Sequence, residues 1–255
     1  MATILGADRE EIRPTLTTEM RLLLQDFDWI RAMARVVPMT ISRAVAPLVL
    51  GIAVSVAGCG SDDCTNGGGP VVSQTFDLAG LTGFDFQAGG EVTAVLGATQ
   101  RVMVRAPQQV IDLINRDVIN GIWEIGFTQC VRNVSDFQID ITAPAIDNVE
   151  LSGAGTVYAE TGSSAIETTL SGAGTVTLYG EATTQQITLD GSGTVEAFEL
   201  VTDVSTVFLS GNGTVNVLAN EQLSVELSGA GAVRYKGDPQ IEERISGAGR
   251  VEDAN

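Results

Sequence analysis

Asp190, Glu196 and Asp203 are the carboxylates of this 255-residue chain best spaced to attempt acid–base chemistry. A glycosidase holds two carboxyl groups at a set separation across the scissile bond. A polysaccharide lyase needs a strong base, often Arg or Lys, beside a bound cation. The basic partner is missing here, because no Lys or Arg stands between Val134 and Val233. The chain has no His, so Ser-His-Asp chemistry is excluded. No P-loop or dinucleotide fingerprint leads from a strand into a helix, so no cofactor is implied. Without His, and with two thiols to spare, no metal site is expected either. The reading is therefore a protein that is not an enzyme, with Asp190 a polar variant in a column of serines. A β-helix lyase or glycosidase stays as the alternative, and cleavage of uronic-acid polymers lost in Asp190→Asn is its signature.

The cysteines carry the other chemistry. Arg43 is followed by fifteen uncharged residues, Ala44 to Gly58, ending Val56-Ala57-Gly58-Cys59. A basic flank, a short apolar core and small residues before a Cys describe a secretory signal; a membrane span needs nearer 20 apolar residues. The tetrapeptide resembles a bacterial lipobox, which implies cleavage before Cys59 and acylation of its thiol. An ordinary signal peptide with an incidental Cys is the alternative. Acylation with two or more chains suffices for stable membrane attachment. By the same resemblance Gly60, standing where inner-membrane lipoproteins usually carry Asp, points to the outer membrane or cell surface. Residues 39–58 are then the signal peptide, and residues 1–38 an extension left by a start placed too far upstream. Removing Cys59 leaves an even pair, Cys64 and Cys130. In an oxidising compartment they suit a disulfide, the alternative being two unpaired thiols.

These residues must be positioned by something regular. From residue 151 onward the chain writes one phrase six times: Leu151 to Val157, Leu170 to Val176, Leu189 to Val195, Leu209 to Val215, Leu227 to Val233 and Ile245 to Val251. The phrases start 19, 19, 20, 18 and 18 residues apart. A near-constant period of this length marks a solenoid, in which each repeat buries its apolar face only against its neighbours. Within a phrase, aliphatic residues and Gly alternate with polar ones: Val149, Leu151, Gly153, Gly155 and Val157 share one face. Period-two alternation means a half-buried strand. Two inward glycines per phrase suggest a bend, or a place where backbones crowd the axis. A 19-residue coil has a contour near 60 Å, and parallel stacking puts equivalent residues about 4.8 Å apart. Ser152, Ser171, Asp190, Ser210, Ser228 and Ser246 then form one outward ladder, and Thr156, Thr175, Thr194 and Thr214 a second. Turns are expected near Tyr179-Gly180 and Asn220-Glu221. The fold class expected is all-β: a parallel β-helix of about six 18–20-residue coils over residues 149–255, with an irregular β cap at 73–148.

Residues 59–72 are read as the acylated Cys and a flexible tether, Thr65 to Pro70 being rich in Gly. In the cap, strands are expected at Thr75–Leu78, Gly83–Gln87, Glu91–Leu96, Arg101–Arg105, Ile122–Phe127 and Phe137–Thr142, with a brief helix at Gln108–Asp117. Phe86 to Val92 is a degraded copy of the phrase. Phe84, Phe86 and Trp123 are expected in the cap's core, carbohydrate stacking being the alternative role.

The run Leu227-Ser-Gly-Ala-Gly-Ala-Val-Arg-Tyr-Lys-Gly-Asp-Pro-Gln-Ile241, followed by the phrase at Ile245, resembles the ending of the putative auto-transporter adhesin "head GIN" domain family (DUF2807). Tyr235, Gly237 and Pro239 match its closing turn, and the resemblance spans about residues 75–253. It implies an exported parallel β-helix-like fold with proposed adhesion and no agreed site residues.

Residues 1–58 hold six acidic and six basic side chains, so the formal charge of −18 falls on the rest. A surface this acidic repels nucleic acid. The reading is a surface-anchored lipoprotein acting in adhesion, binding or scaffolding, with a membrane reached through its lipid and a glycan or cell-surface polymer as partner. The hydroxyl ladders are either its binding face or a solvated rim that keeps the solenoid soluble.

Overall fold

The computed structural model describes residues 64–255. The lipidation site Cys59, the signal peptide and the extension before it lie outside those residues. The N-terminal part runs β1 (Thr65–Asn66), β2 (Val71–Phe76), β3 (Gly83–Phe86), β4 (Glu91–Leu96), β5 (Arg101–Pro107), α1 (Gln108–Ile111), β6 (Val118–Ile119), β7 (Ile122–Ile125), β8 (Val131–Arg132) and β9 (Gln138–Ala143). The repeats give β10 (Asn148–Leu151), β11 (Thr156–Thr161), β12 (Ala165–Leu170), β13 (Thr175–Gly191), β14 (Thr194–Gly211), β15 (Thr214–Leu218), β16 (Gln222–Gly229), β17 (Ala232–Lys236), β18 (Gln240–Gly247) and β19 (Arg250–Asp253).

Each phrase bridges two strands, and every phrase stacks in parallel on its neighbours. One ladder runs β7–β3–β10–β12–β13–β14–β16–β18. The other runs β9–β4–β11–β13–β14–β15–β17–β19. The long strands β13 and β14 serve both ladders because they continue around a corner from one coil into the next. The architecture is a parallel β-solenoid. Registers place Leu151, Leu170, Leu189, Leu209, Leu227 and Ile245 in one column, with Phe86 extending it toward the N-terminus. Val92 likewise stands under Val157, so the degraded phrase is a true coil. These inward columns are buried from Phe86 through Leu227 and from Val92 through Val233. Each such aliphatic side chain contributes about 1.5–3 kcal/mol by leaving water.

The two glycines of the phrase have a steric cause. A Cβ on Gly172, Gly191, Gly211, Gly229 or Gly247 would strike the carbonyl oxygen of the matching Gly one coil earlier. A Cβ on Gly193 would sit 2.5 Å from the Gly174 oxygen and 2.7 Å from Leu170 Cδ2. Neighbouring backbones crowd at this bend, and the preceding coil's leucine fills the space beside it. Gly229 adds a second reason, since its φ of 153° disfavours any side chain.

The uneven period is absorbed away from the phrases. Thr177 pairs with Glu196 but Tyr179 with Glu199, so one extra residue is taken up as a bulge at Ala197–Phe198. One coil later the chain is shorter: β15 ends at Leu218, and Asn220 and Glu221 donate backbone hydrogen bonds to the Thr202 and Asp203 carbonyls. The expected turn at Tyr179-Gly180 is a corner within β13, with Gly180 at φ 112°.

At the N-terminal end the solenoid is capped. β5 pairs antiparallel with both β9 and β2, and β6 pairs antiparallel with β7. Trp123, Phe84 and Phe86 are buried in the core of this end. Trp123 packs edge-on to Phe76 and donates its indole N–H to the Asn115 carbonyl at 2.9 Å. The expected helix from Gln108 shortens to α1, because Ile114 pairs with Phe127 and Thr128 donates to the Leu113 carbonyl. Burying Ile114 in that bridge requires extended backbone beyond Leu113. Cys64 and Cys130 form a disulfide with Cα atoms 4.7 Å apart. Thr65 and Asn66, read above as part of a free tether, pair in parallel with Val131 and Arg132.

Candidate binding face

Alternation along each strand puts every second side chain on the outer surface, and the registers turn those positions into columns. Asp190, Ser210, Ser228 and Ser246 are register partners in sequence, and Ser171 and Ser152 continue the line where β12 and β10 end. All six are exposed. Thr156, Thr175, Thr194 and Thr214 form the second column at half-burial, which Ala232 and Arg250 complete. The two columns lie on either side of the glycine bend.

Asp190 is tied into its column, accepting a hydrogen bond from the Ser210 hydroxyl. The other two carboxylates singled out for chemistry do not share that contact. Glu196 accepts from the Asn216 amide at 2.7 Å in the neighbouring coil. Asp203 lines a shallow groove at the far corner with Glu181, Thr183 and Val201. Among the described residues the three carboxylates therefore have different neighbours.

The larger open groove, about 890 Å³, lies on the ladder that carries β10, β12 and β13. Its floor includes Asn148, Glu167, Gln186 and Thr206, which are successive register partners. Asn120 stands at its N-terminal end, beside Thr82 and Asp147. The sequence did contain this signal: the residue three before each phrase-opening aliphatic is polar in all six copies, Ser224 and Glu242 being the last two. The adjacent outward column runs Glu124, Asp85, Glu150, Thr169, Thr188, Phe208, Glu226 and Arg244. Phe208 is its apolar member, 39% exposed.

The acidic end of that column is strained electrostatically. Partial burial, then the neighbouring Asp85 and Glu167, raise the Glu150 carboxyl above its ordinary value, against a lowering hydrogen bond from Ser152. The Ser152 hydroxyl oxygen stands 3.0 Å from Asp85 and 3.4 Å from Glu150, so its one proton is shared between the two acids. Beneath the groove an inward corner is polar: Gln185 donates to Thr202 at 3.1 Å and to Ser205 at 2.8 Å. Thr202 in turn donates to the Leu218 carbonyl at 2.6 Å. Gln185 stands where its register partner in the preceding coil is Ile166, so neither period nor phrase marks it.

Comparison with known proteins bears on the fold. A family model described as "putative auto-transporter adhesin, head GIN domain" matches residues 81–239. No curated protein matches the chain. Among solved structures, one described as a putative adhesin from Bacteroides fragilis NCTC 9343 is similar at a TM-score of 0.60 and 19% identity, over 74% of this chain and 99% of that one. Another, described as a putative lipid binding protein from Parabacteroides distasonis ATCC 8503, is similar at a TM-score of 0.52 and 14% identity, over 76% and 100% of the two chains.

Proposed function

Because this chain belongs to the putative auto-transporter adhesin, head GIN domain family, we propose that it is an exported, non-enzymatic module that binds extended polar polymers. The observation that carries this reading is the groove floored by Asn148, Glu167, Gln186 and Thr206, repeated in register from coil to coil. A glycan strand presents hydroxyls at a regular spacing and meets here a regular spacing of amides, hydroxyls and carboxylates. Rigid parallel ladders hold those groups in place before binding, which lowers the ordering cost of association. Phe208, exposed in the adjacent column, offers a ring face of the kind that sugar rings stack on.

The pairing of Asp190 with Ser210 supports a structural role for that carboxylate over a catalytic one. The reading includes a lipid anchor at Cys59, supported by the sequence around it, and a place at the outer membrane or cell surface. Incorporation of labelled fatty acid by the native chain, lost in Cys59→Ser, tests the anchor.

Binding is tested with the exported chain on immobilised polysaccharides and on whole cells. Retention on at least one polymer is expected, weakened about tenfold, or 1.4 kcal/mol, by the pair Gln186→Ala and Thr206→Ala. Retention indifferent to that pair would place the binding surface elsewhere.

A further inference from the structure

The two ends of the solenoid are unlike. The N-terminal end is covered by β2, β5 and α1, whereas among the described residues no strand covers β18. Ile241 and Ile245 are each 42% exposed, although their partners one coil earlier, Leu223 and Leu227, are fully buried. Between the last two strands lies an open cleft of about 330 Å³, lined by Tyr235, Ile241, Glu243, Val251 and Asp253. One corner of this end is closed by Asn255, whose side-chain amide donates to the Gly237 carbonyl at 2.9 Å and accepts from its N–H at 3.0 Å. The edge of β18, about 26 Å long, keeps its free backbone groups.

We infer that this edge is a docking surface for a second copy of the same chain, joined by antiparallel pairing of β18 with β18 about a two-fold axis. The residues of the strand select that partner. In an antiparallel pair with Glu243 at the axis, Ile241 of each copy faces Ile245 of the other on the core side. On the outer side Glu242 faces Arg244 of the other copy, twice over. Shifting the register by two residues in either direction sets Glu242 against Glu242 or Arg244 against Arg244. Only the central register matches apolar with apolar and opposite charge with opposite charge, and register in a paired edge is fixed by such cross-strand contacts. Within one copy Arg244 already pairs with Glu242 at 3.1 Å, largely open to solvent, so the exchange needs little rearrangement.

Glu243 limits the strength of the contact. Its column holds Val149, Thr168, Ile187, Val207 and Val225 in earlier coils, all buried and only Thr168 polar. At the last coil a carboxylate takes that inward position and meets its own copy across the axis. An inward charge on an edge strand opposes open-ended stacking. A two-fold contact closes after two copies, and the capped ends then lie at opposite extremes of the pair.

The test is sedimentation equilibrium on the chain from residue 59 onward carrying Cys59→Ser, so that neither the apolar signal segment nor a lipid drives association. A concentration-dependent dimer is expected. Arg244→Glu should weaken it about tenfold or more, and Glu242→Arg combined with Arg244→Glu should restore it, since the swapped charges again face each other. Glu243→Gln should tighten it about tenfold. A chain monomeric to about 100 μM, or a dimer indifferent to these variants, would overturn the inference. Circular dichroism of each variant confirms that the solenoid is intact, and because Glu242, Glu243 and Arg244 are exposed, its folding does not depend on them.

Discussion

Glu150 is a residue whose titration the fold alters through neighbours the registers identify. Burial and the facing Asp85 raise its carboxyl, so the folded state holds the proton at a higher pH than the unfolded chain does. Stability from this group is therefore complete below the ordinary carboxylate range and is lost as pH rises through the raised value. Glu150→Gln removes the loss, and thermal unfolding should show a gain on the order of a degree at pH 7 that vanishes near pH 3.5. The glycines argue in the opposite direction. Gly193→Ala places a methyl carbon 2.5 Å from the Gly174 carbonyl oxygen, and neither backbone can yield without breaking the ladder. Overpacking of this kind costs about 1–3 kcal/mol or more, so denaturant unfolding should shift by at least that. Leu189→Ala, at a fully buried position between two coils, should cost about 2–5 kcal/mol. Such costs were implied by the phrase itself, because a motif with two invariably small inward positions has room for nothing larger.

At the scale of the element, the repeat strands were legible because period-two alternation and an 18–20-residue interval constrain both face and neighbour. The cap was legible as strands but not as pairings. Nothing in Arg101 to Pro107 announces that it runs antiparallel to β9 while β4, its chain neighbour, runs parallel. Nor did the Gly-rich stretch after Cys64 announce β1, whose two residues gain their partners from a segment 66 residues away. The Cys64–Cys130 bridge closes that distance. In the paired variant Cys64→Ser with Cys130→Ser, unfolding should cost about 2–4 kcal/mol less than in the native chain, measured in urea. The loss should fall on the cap, so hydrogen exchange should accelerate in β1 and β8 and leave β14 and β16 unchanged. Gln185 shows the limit of phrase reading: an inward amide among aliphatics is held by Thr202 and Ser205, residues from the next coil that only the folded corner brings near.

At the largest scale, the described residues form a stack whose outer columns are repeated copies of the same few polar positions. The groove could have been found from the sequence by reading the position three before each phrase, since stacking alone sets it in line. Phe208 could have been found the same way, since it stands one before its phrase, the outward position that Glu150, Thr169 and Thr188 hold in earlier coils. Everything proposed about binding and about the open end depends on that stacking being parallel and in register. The most direct test places spin labels along the serine column, at Ser152→Cys paired in turn with Ser210→Cys, Ser228→Cys and Ser246→Cys, in the Cys59→Ser chain with the disulfide intact. Pulsed dipolar spectroscopy should give separations growing by about 4.8 Å per coil, reaching about 24 Å for the pair Ser152 and Ser246. Separations that fail to grow with coil number would contradict the account.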